Sequence, residues 1–294
     1  MRTFREAAQS EQFTLSAELT VRRETTADDV RRQADVLDRY VDGIQLTDTP
    51  YSWVQMSTLA ASCILIEHGV DPIPVLTCRD RNRFALHSDL LGLQALGVTS
   101  LILMRGPRVP KNHSVPASTV FDLTGRELIA LASTMDEEAP AGPGTGIFIG
   151  TAARAFRPKY NWRAESLAAR AAAGARFMQT QLCFNMDLLR QYMGKFVESK
   201  LTQSYAVMVT LSPLPSVATA NWLKKYMTDS RIPDEVIVRL EDARDPEQEG
   251  IRICADLMQE VSEIPGVSGV NLMTTGDPEA IPAVIEASGL RAVK

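Results

Sequence analysis

The chain has 294 residues, of which 45% are hydrophobic and 23% charged, so it can bury a large core. Its formal net charge of -5 argues against nucleic acid or an anionic membrane as a main partner. No apolar run approaches the roughly 20 residues that span a bilayer, and the N-terminus lacks the apolar centre of a signal peptide, so we expect a cytoplasmic protein.

In chain order, short apolar runs alternate with longer segments of helical periodicity. Residues 71–106 show the unit most clearly, as an apolar run, a polar turn, a helical pattern that ends at Gly97, and a second apolar run. The predicted strands are 13–21, 43–46, 73–76, 101–104, 147–150, 177–181, 206–211 and 267–273. The predicted helices outside that unit are 26–40, 53–68, 124–138, 162–173, 186–199, 215–228, 232–243, 246–264 and 278–288, and 139–146 is predicted to be a loop.

Eight strands that alternate with helices predict a single (β/α)8 barrel domain over residues 1–294, a fold that typically needs about 250 residues. An open doubly wound sheet is the competing layout, and the even alternation favours the barrel. The four cysteines lie far apart without a CxxC pair, and the three histidines show no metal-ligand spacing. We therefore predict neither a metal site nor a disulfide framework.

The carboxyl ends of barrel strands form the active site in this fold, so polar residues there are the candidates. Glu18 is the one acidic residue within the apolar first strand. If it faces the interior, burial raises its pKa and suits it to general acid catalysis near neutral pH. The alternative is an outward carboxylate, paired for instance with Arg22.

Other strand ends offer weaker candidates. Gln181 ends the sixth strand with Gln179 on the same face, and either can bind a heterocycle or simply bond to the next strand. Arg105 and Gly106 can hold an anionic group, or be a helix-facing arginine and a turn glycine. Asp80 and Asn82 are typical of a helix N-terminus, where at least one of them would be the cap.

Four motifs together resemble the methylenetetrahydrofolate reductase family over nearly the whole chain. They are S-A-E-L in the first strand, Q-L-T-D-T-P after the second, L-T-C-R-D-R-N followed by S-D-L-L-G-x-x-A-L-G at the third, and A-G-A-R-F-M-Q-T-Q at the sixth. Family members are (β/α)8 barrels. They usually bind a flavin and move a hydride between NAD(P)H and 5,10-methylenetetrahydrofolate or 5-methyltetrahydrofolate.

The resemblance makes Glu18 the catalytic acid and Gln181 the folate-binding glutamine. The further substrate-binding residues that we predict are Gln179, Thr47, Asp48, Arg105 and Phe184. The cofactor-binding residues that we predict are Thr77, Arg79, Asp80, Asn82, Gly106, Thr151 and Arg154.

The chain departs from the family around the expected flavin. The G-D pair after the fourth strand is Gly106-Pro107, the histidine before L-T-C is Val75, and A-A-V-N-P after the fifth strand is replaced by the segment 151–155. Either FAD or FMN binds through different contacts, or the flavin is absent and hydride passes directly from NAD(P)H.

The resemblance thus implies an oxidoreductase of tetrahydrofolate derivatives, whose physiological role can be that of a 5-methyltetrahydrofolate oxidase in a demethylation pathway. Two alternatives remain. One is a folate-binding barrel without redox activity, and the other is a methyltransferase that uses methyltetrahydrofolate. The expected partner is a small folate molecule, and the sequence leaves a homo-oligomer open.

Overall fold

The computed structural model describes residues 2–50, 53–110, 115–137, 146–274 and 277–291, so most of the predicted loop 139–146 lies outside the described residues. Within these ranges eight parallel strands close into one barrel in sequence order. This confirms the (β/α)8 barrel and excludes the open sheet. The assignment of all 294 residues to one domain stays a prediction.

Helices alternate with the strands around the barrel. The strands are β1 Thr14–Leu19, β2 Gly43–Leu46, β3 Pro72–Thr77, β4 Ser100–Met104, β5 Phe148–Ala153, β6 Phe177–Thr180, β7 Ala206–Leu211 and β8 Gly269–Leu272. The helices are α1 Phe4–Ala8, α2 Ala27–Leu37, α3 Thr58–Glu67, α4 Arg83–Ala95, α5 Gly125–Glu137, α6 Glu165–Ala172, α7 Met186–Glu198, α8 Val217–Tyr226, α9 Asp234–Glu241, α10 Pro246–Ser262 and α11 Ala280–Ser288.

Local capping sets where many helices begin. The side chains of Thr26, Asn185 and Asp245, for example, each accept a hydrogen bond from a backbone N–H in the first helical turn. Ser57 does the same for α3, so this helix begins five residues later than the predicted 53–68. The segment before α3 contacts the end of β2 instead, where Gln55 Nε2 donates a hydrogen bond to Thr47 O at 2.6 Å.

Aromatic side chains fill the amino-terminal half of the barrel interior. Phe4 of α1, a helix that the sequence analysis did not predict, packs with its ring centroid 5.1 Å from that of Phe177. Phe177 stacks in turn on Phe148 at 5.0 Å. Because α1 and these rings occupy the amino-terminal end, the interior is free for polar groups only toward the carboxyl ends of the strands.

In the described part of the chain, no helix is both long enough and apolar enough to cross a membrane.

Gly150 of β5 gives a test of this packing. A Cβ atom there would overlap the Phe177 ring, so Gly150→Ala must displace a buried aromatic side chain. We expect the free energy of unfolding to fall by about 1–3 kcal/mol in urea titrations. The control is Gly194→Ala in α7, where no atom lies within 4 Å of the added Cβ, and where the protein should gain up to about 1 kcal/mol. Equal stability of the two variants would contradict the packing described here.

Candidate active site

Glu18 lies in β1 with its side chain directed into the barrel. Its register partner on β2 is Gln45, and two residues earlier Ser16 is the partner of Asn271 on β8. Ser16 Oγ donates to Asn271 Oδ1 at 2.8 Å on this face of β1. The alternate residues Leu15, Ala17 and Leu19 belong instead to the core that the sheet shares with α2, so the face of Ser16 and Glu18 is the interior one. Glu18 therefore faces inward and not toward Arg22.

The environment of Glu18 favours its protonated form. Part of the side chain is open to the barrel mouth, but protein surrounds the carboxyl group, and this burial raises its pKa. The Thr47 hydroxyl opposes the shift in part, although the pair does not meet the geometry of an ordinary hydrogen bond. A carboxyl group with a raised pKa is able to act as a general acid near neutral pH.

Three polar residues beside Glu18 were missed by the sequence analysis. Ser16, Gln45 and Asn271 are buried, and all of them face the interior on β1 or on its two neighbouring strands. The pattern that identified Glu18, a polar residue within an apolar strand, could also have identified two of them. Gln45 and Asn271 lie within the short apolar strands GIQL and GVNL.

Asp48 forms a buried hydrogen-bond network that joins the ends of β2 and β3. It accepts from Thr77 N at 3.0 Å and from Thr77 Oγ1 at 2.8 Å. It also accepts from both terminal nitrogens of Arg81, at 2.8 and 3.1 Å. With the bidentate arginine bond, the Asp48 carboxylate accepts four hydrogen bonds from within the protein. Asp48 and Thr77 therefore hold the ends of β2 and β3 in register.

Arg79 extends this network on its outer side. Its guanidinium is almost fully buried and donates to Thr49 O, to Thr49 Oγ1 and to Asp80 at 2.8 Å. These bonds hold Thr49 at φ 42°, a left-handed conformation that costs about 1–3 kcal/mol in a residue other than glycine. Asn82 caps α4 by accepting from Ala85 N at 3.0 Å, the alternative considered from the sequence.

A second group of candidate residues lines a cavity of about 1140 Å³ between the ends of β4 and β5 and the first turns of α5 and α6. We call it the cationic cavity, because four arginines and one glutamate are among its lining residues, Arg105, Arg126, Arg154, Arg170 and Glu165. In a chain of net charge -5, this local excess of positive charge favours an anionic ligand.

Contacts within the protein orient three of these arginines, one of which is Arg154, paired with Asp229 at 3.1 Å. The Arg105 guanidinium lies 3.8 Å from the centroid of the Phe121 ring, a cation–π distance. Phe121 has φ 46° and is held by its N–H, which donates to Cys78 O at 3.1 Å. Arg170 donates to Thr151 Oγ1 at 2.9 Å and to Ala152 O at 2.7 Å, so it braces the end of β5.

The remaining candidates follow β6 and β4. Strand β6 ends at Thr180, one residue earlier than predicted, so Gln181 is exposed and lines the cationic cavity, while Gln179 is half-buried on the interior face of β6. Phe184 is buried in the hydrophobic layer between the sheet and the helices. Gly106 has φ 77° and approaches Thr77 closely enough that an added Cβ would lie 2.9 Å from Thr77 Cβ.

The structure thus gathers the predicted residues into three groups. Glu18, Thr47 and Gln179 face the barrel interior, and Asp48, Thr77, Arg79 and Asp80 form the strand-end network. Arg105, Gly106, Thr151, Arg154 and Gln181 line the cationic cavity. Phe184 and Asn82 lie outside these groups. The described residues contain no cluster of three or more His, Cys, Asp or Glu side chains that could hold a metal ion.

Comparison with known proteins identifies relatives of this arrangement. The family model described as methylenetetrahydrofolate reductase matches residues 3–289. No curated protein sequence matches the chain. A solved structure of an uncharacterized protein from Clostridium thermocellum that binds two copies of 5-methyl-5,6,7,8-tetrahydrofolic acid has a TM-score of 0.61 at 11% identity, covering 97% of this chain and 96% of that one. DmoA from Hyphomicrobium sulfonivorans has a TM-score of 0.54 at 10% identity, covering 94% of this chain and 87% of that one. At these identities, the two structures support the fold alone.

The strand-end network can be tested through stability. Asp48→Ala removes the acceptor of the buried Thr77 N–H and hydroxyl and leaves Arg81 paired with Asp89 and Asp80 only. We therefore expect the free energy of unfolding to fall by about 3 kcal/mol. Asp28→Ala is the matched control, because Asp28 pairs with Arg31 on the exposed face of α2, and such pairs contribute under about 1 kcal/mol. Urea denaturation of the two variants measures the difference. A loss at Asp48 no larger than that at Asp28 would show that the network does not stabilise the fold.

Proposed function

Since the chain belongs to the methylenetetrahydrofolate reductase family, we propose that it interconverts 5,10-methylenetetrahydrofolate and 5-methyltetrahydrofolate with NAD(P)H or NAD(P)+ as the hydride partner. The observation that supports this most strongly is Glu18, a carboxyl group of raised pKa that faces the barrel interior near its mouth. Binding of 5-methyltetrahydrofolate by the Clostridium thermocellum protein of similar fold supports a folate ligand.

The proposed reaction uses Glu18 as the only proton donor. In the reductive direction its carboxylic acid protonates a ring nitrogen of 5,10-methylenetetrahydrofolate, the C–N bond to that nitrogen breaks, and an iminium ion forms. A hydride then adds to the iminium carbon and gives 5-methyltetrahydrofolate, while NAD(P)H becomes NAD(P)+. In the oxidative direction the Glu18 carboxylate takes the proton back. A group whose pKa lies closer to neutrality serves both directions.

The residues of the chain do not fit the flavin that the family usually binds. The cationic cavity has arginines and the Thr151 hydroxyl for the phosphates of a dinucleotide. At the end of β4, however, Pro107 stands where the family has an aspartate beside flavin and pterin. Proline can neither accept a charge-assisted hydrogen bond there nor donate one from its backbone nitrogen. We therefore propose that hydride passes directly between the nicotinamide and the folate.

The cationic cavity is the proposed site for the nicotinamide dinucleotide. Arg126 and Arg105 lie at its wall, and guanidinium groups bind phosphates through paired N–H donors. Gln181 lines the same cavity and Gln179 faces the interior from β6, so the proposed pterin position lies between this cavity and Glu18. We also propose that the physiological direction is the oxidation of 5-methyltetrahydrofolate formed in a demethylation pathway.

A folate-binding barrel without redox activity is the second candidate. The replacement at Pro107 favours it, because the altered residues cluster on the cofactor side of the barrel mouth. The retained Glu18 favours the enzyme, since simple binding needs no buried acid.

Glu18→Gln tests the acid. Glutamine keeps the size and polarity but has no proton to give, so we expect kcat to fall by a factor of about 10² to 10⁴. Because reduction needs the protonated acid, the wild-type kcat in that direction should fall as pH rises through the raised pKa of Glu18. Binding of 5-methyltetrahydrofolate, followed by calorimetry, should change little. The control is Glu11→Gln at an exposed position. A fully active Glu18→Gln variant would remove the acid from the mechanism.

The absorbance spectrum of the purified protein tests the direct transfer. We expect a colourless protein, without the flavin band at about 450 nm. In the same cuvette, it should reduce NAD(P)+ when 5-methyltetrahydrofolate is added and oxidise NAD(P)H when 5,10-methylenetetrahydrofolate is added. A stoichiometric yellow chromophore would overturn the flavin-free mechanism. A colourless protein that binds folate and shows no change in NADH or NADPH absorbance would favour the binding protein.

A further inference from the structure

Unsatisfied polar atoms concentrate around Glu18. In the described part of the chain, four buried side-chain atoms have no hydrogen-bond partner, and three of them belong to β2, β8 or the residue that follows β2. These three atoms are Gln45 Oε1, Thr47 Oγ1 and Asn271 Nδ2. Since β2 and β8 are the two neighbours of β1, the three atoms flank the strand that holds Glu18.

A buried polar atom without a partner costs about 1–3 kcal/mol, so native folds satisfy nearly all of them through protein, water or ligand. The amide of Asn271 is oriented by Ser16, whose hydroxyl donates to Oδ1 and leaves Nδ2 as the free donor. Gln45 is the register partner of Glu18 and presents a free acceptor. One donor on β8, level with Ser16, and one acceptor on β2, level with Glu18, thus lie on the two strands that flank β1.

The apolar part of the barrel interior offers these atoms no partner. Val75, Ile102, Phe177 and Met208 form an apolar cluster there, and Phe4 packs against it from α1. A water molecule beneath Glu18 would therefore bond to the polar wall alone. Two to four polar partners are what a buried water requires.

We propose that Asn271 and Gln45 are positioning residues that hold one buried water beneath the Glu18 carboxyl group. Asn271 Nδ2 donates to this water when the water donates to the Glu18 carboxylate. Gln45 Oε1 accepts from the water when the water accepts from the protonated acid. The pair lets the carboxyl group take either protonation state without leaving a buried charge or proton unpaired, as an acid that works in both directions requires.

No charged side chain competes with this arrangement in the described ranges. The interior faces of β2, β3 and β8 offer Glu18 the uncharged groups Gln45, Thr47, Ile73, Val75, Thr77 and Asn271. Two charged residues of the strand ends have partners of their own. Asp48 bonds to Thr77 and Arg81, and Arg79 bonds to Thr49 and Asp80. The causes of the raised pKa are burial first and the opposing Thr47 hydroxyl second, with no ionic contribution.

The test measures the titration of Glu18 itself from the infrared C=O band of its carboxylic acid. For each protein, this band is identified as the one that disappears when Glu18→Gln is added. Asn271→Leu removes the donor, so we expect the Glu18 pKa to rise by about one unit. Gln45→Leu removes the acceptor and should lower it by a similar amount. Ser16→Ala frees the Asn271 amide to rotate and should give a smaller rise. Ser100→Ala, a buried hydroxyl on β4, is the control and should leave the titration unchanged.

Shifts of opposite sign in the Asn271 and Gln45 variants support the proposal. Shifts of the same sign, or none in variants that keep the wild-type circular dichroism, overturn it. If Asn271→Leu fails to fold, Ser16→Ala against Gln45→Leu gives the same comparison of signs. Although the inference rests on the proposed function, this readout needs neither folate nor turnover, so a protein without activity can still show it. In an active enzyme, the pH at which kcat declines should move with each shift while the KM for folate stays within about twofold.

Discussion

The desolvation of one carboxyl group inside a closed barrel is the interaction on which the rest of this site depends. A glutamate on an open sheet edge would be hydrated and ionised, whereas Glu18 is surrounded by protein and its pKa rises. Closure of β8 onto β1 surrounds the half-buried side chain with protein, and it also brings Asn271 and Ser16 to the same interior wall. The environment of Glu18 and the placement of Ser16 and Asn271 beside it therefore both follow from the closure of the barrel between β8 and β1.

Two structural devices keep that environment in place. At the amino-terminal end, Phe4 and the Phe148–Phe177 stack fill the interior and leave space only toward the mouth. At the carboxyl end, Asp48 binds Arg81 and Thr77 and fixes the ends of β2 and β3. Neither device touches the proposed reaction, yet both restrict where a folate can bind, because the space between them is the interior that Glu18 faces.

The barrel mouth is divided by charge and polarity. Apart from Glu18, the side formed by β8, β1 and β2 is polar and uncharged in its interior. The side formed by β4, β5 and the turns before α5 and α6 is cationic. A folate between them would have the acid on one side and the hydride partner on the other, as the proposed chemistry requires. Pro107 lies on the cationic side, so the departure from the family falls on the proposed cofactor side and not beside Glu18.

The sequence by itself determined the alternation of strands and helices, the start of α4 near Asp80 and Asn82, and Glu18 as a lone acid in an apolar strand. These features are local, since they follow from periodicity and neighbouring residues. Tertiary structure decided what is non-local. Strand register paired Gln45 with Glu18 and Asn271 with Ser16, and the end of β6 at Thr180 left Gln181 exposed in the cavity. The fold also places α1 at the amino-terminal end of the barrel and Arg126 and Arg170 in the cationic cavity. Such contacts between distant segments exist only once the barrel has closed.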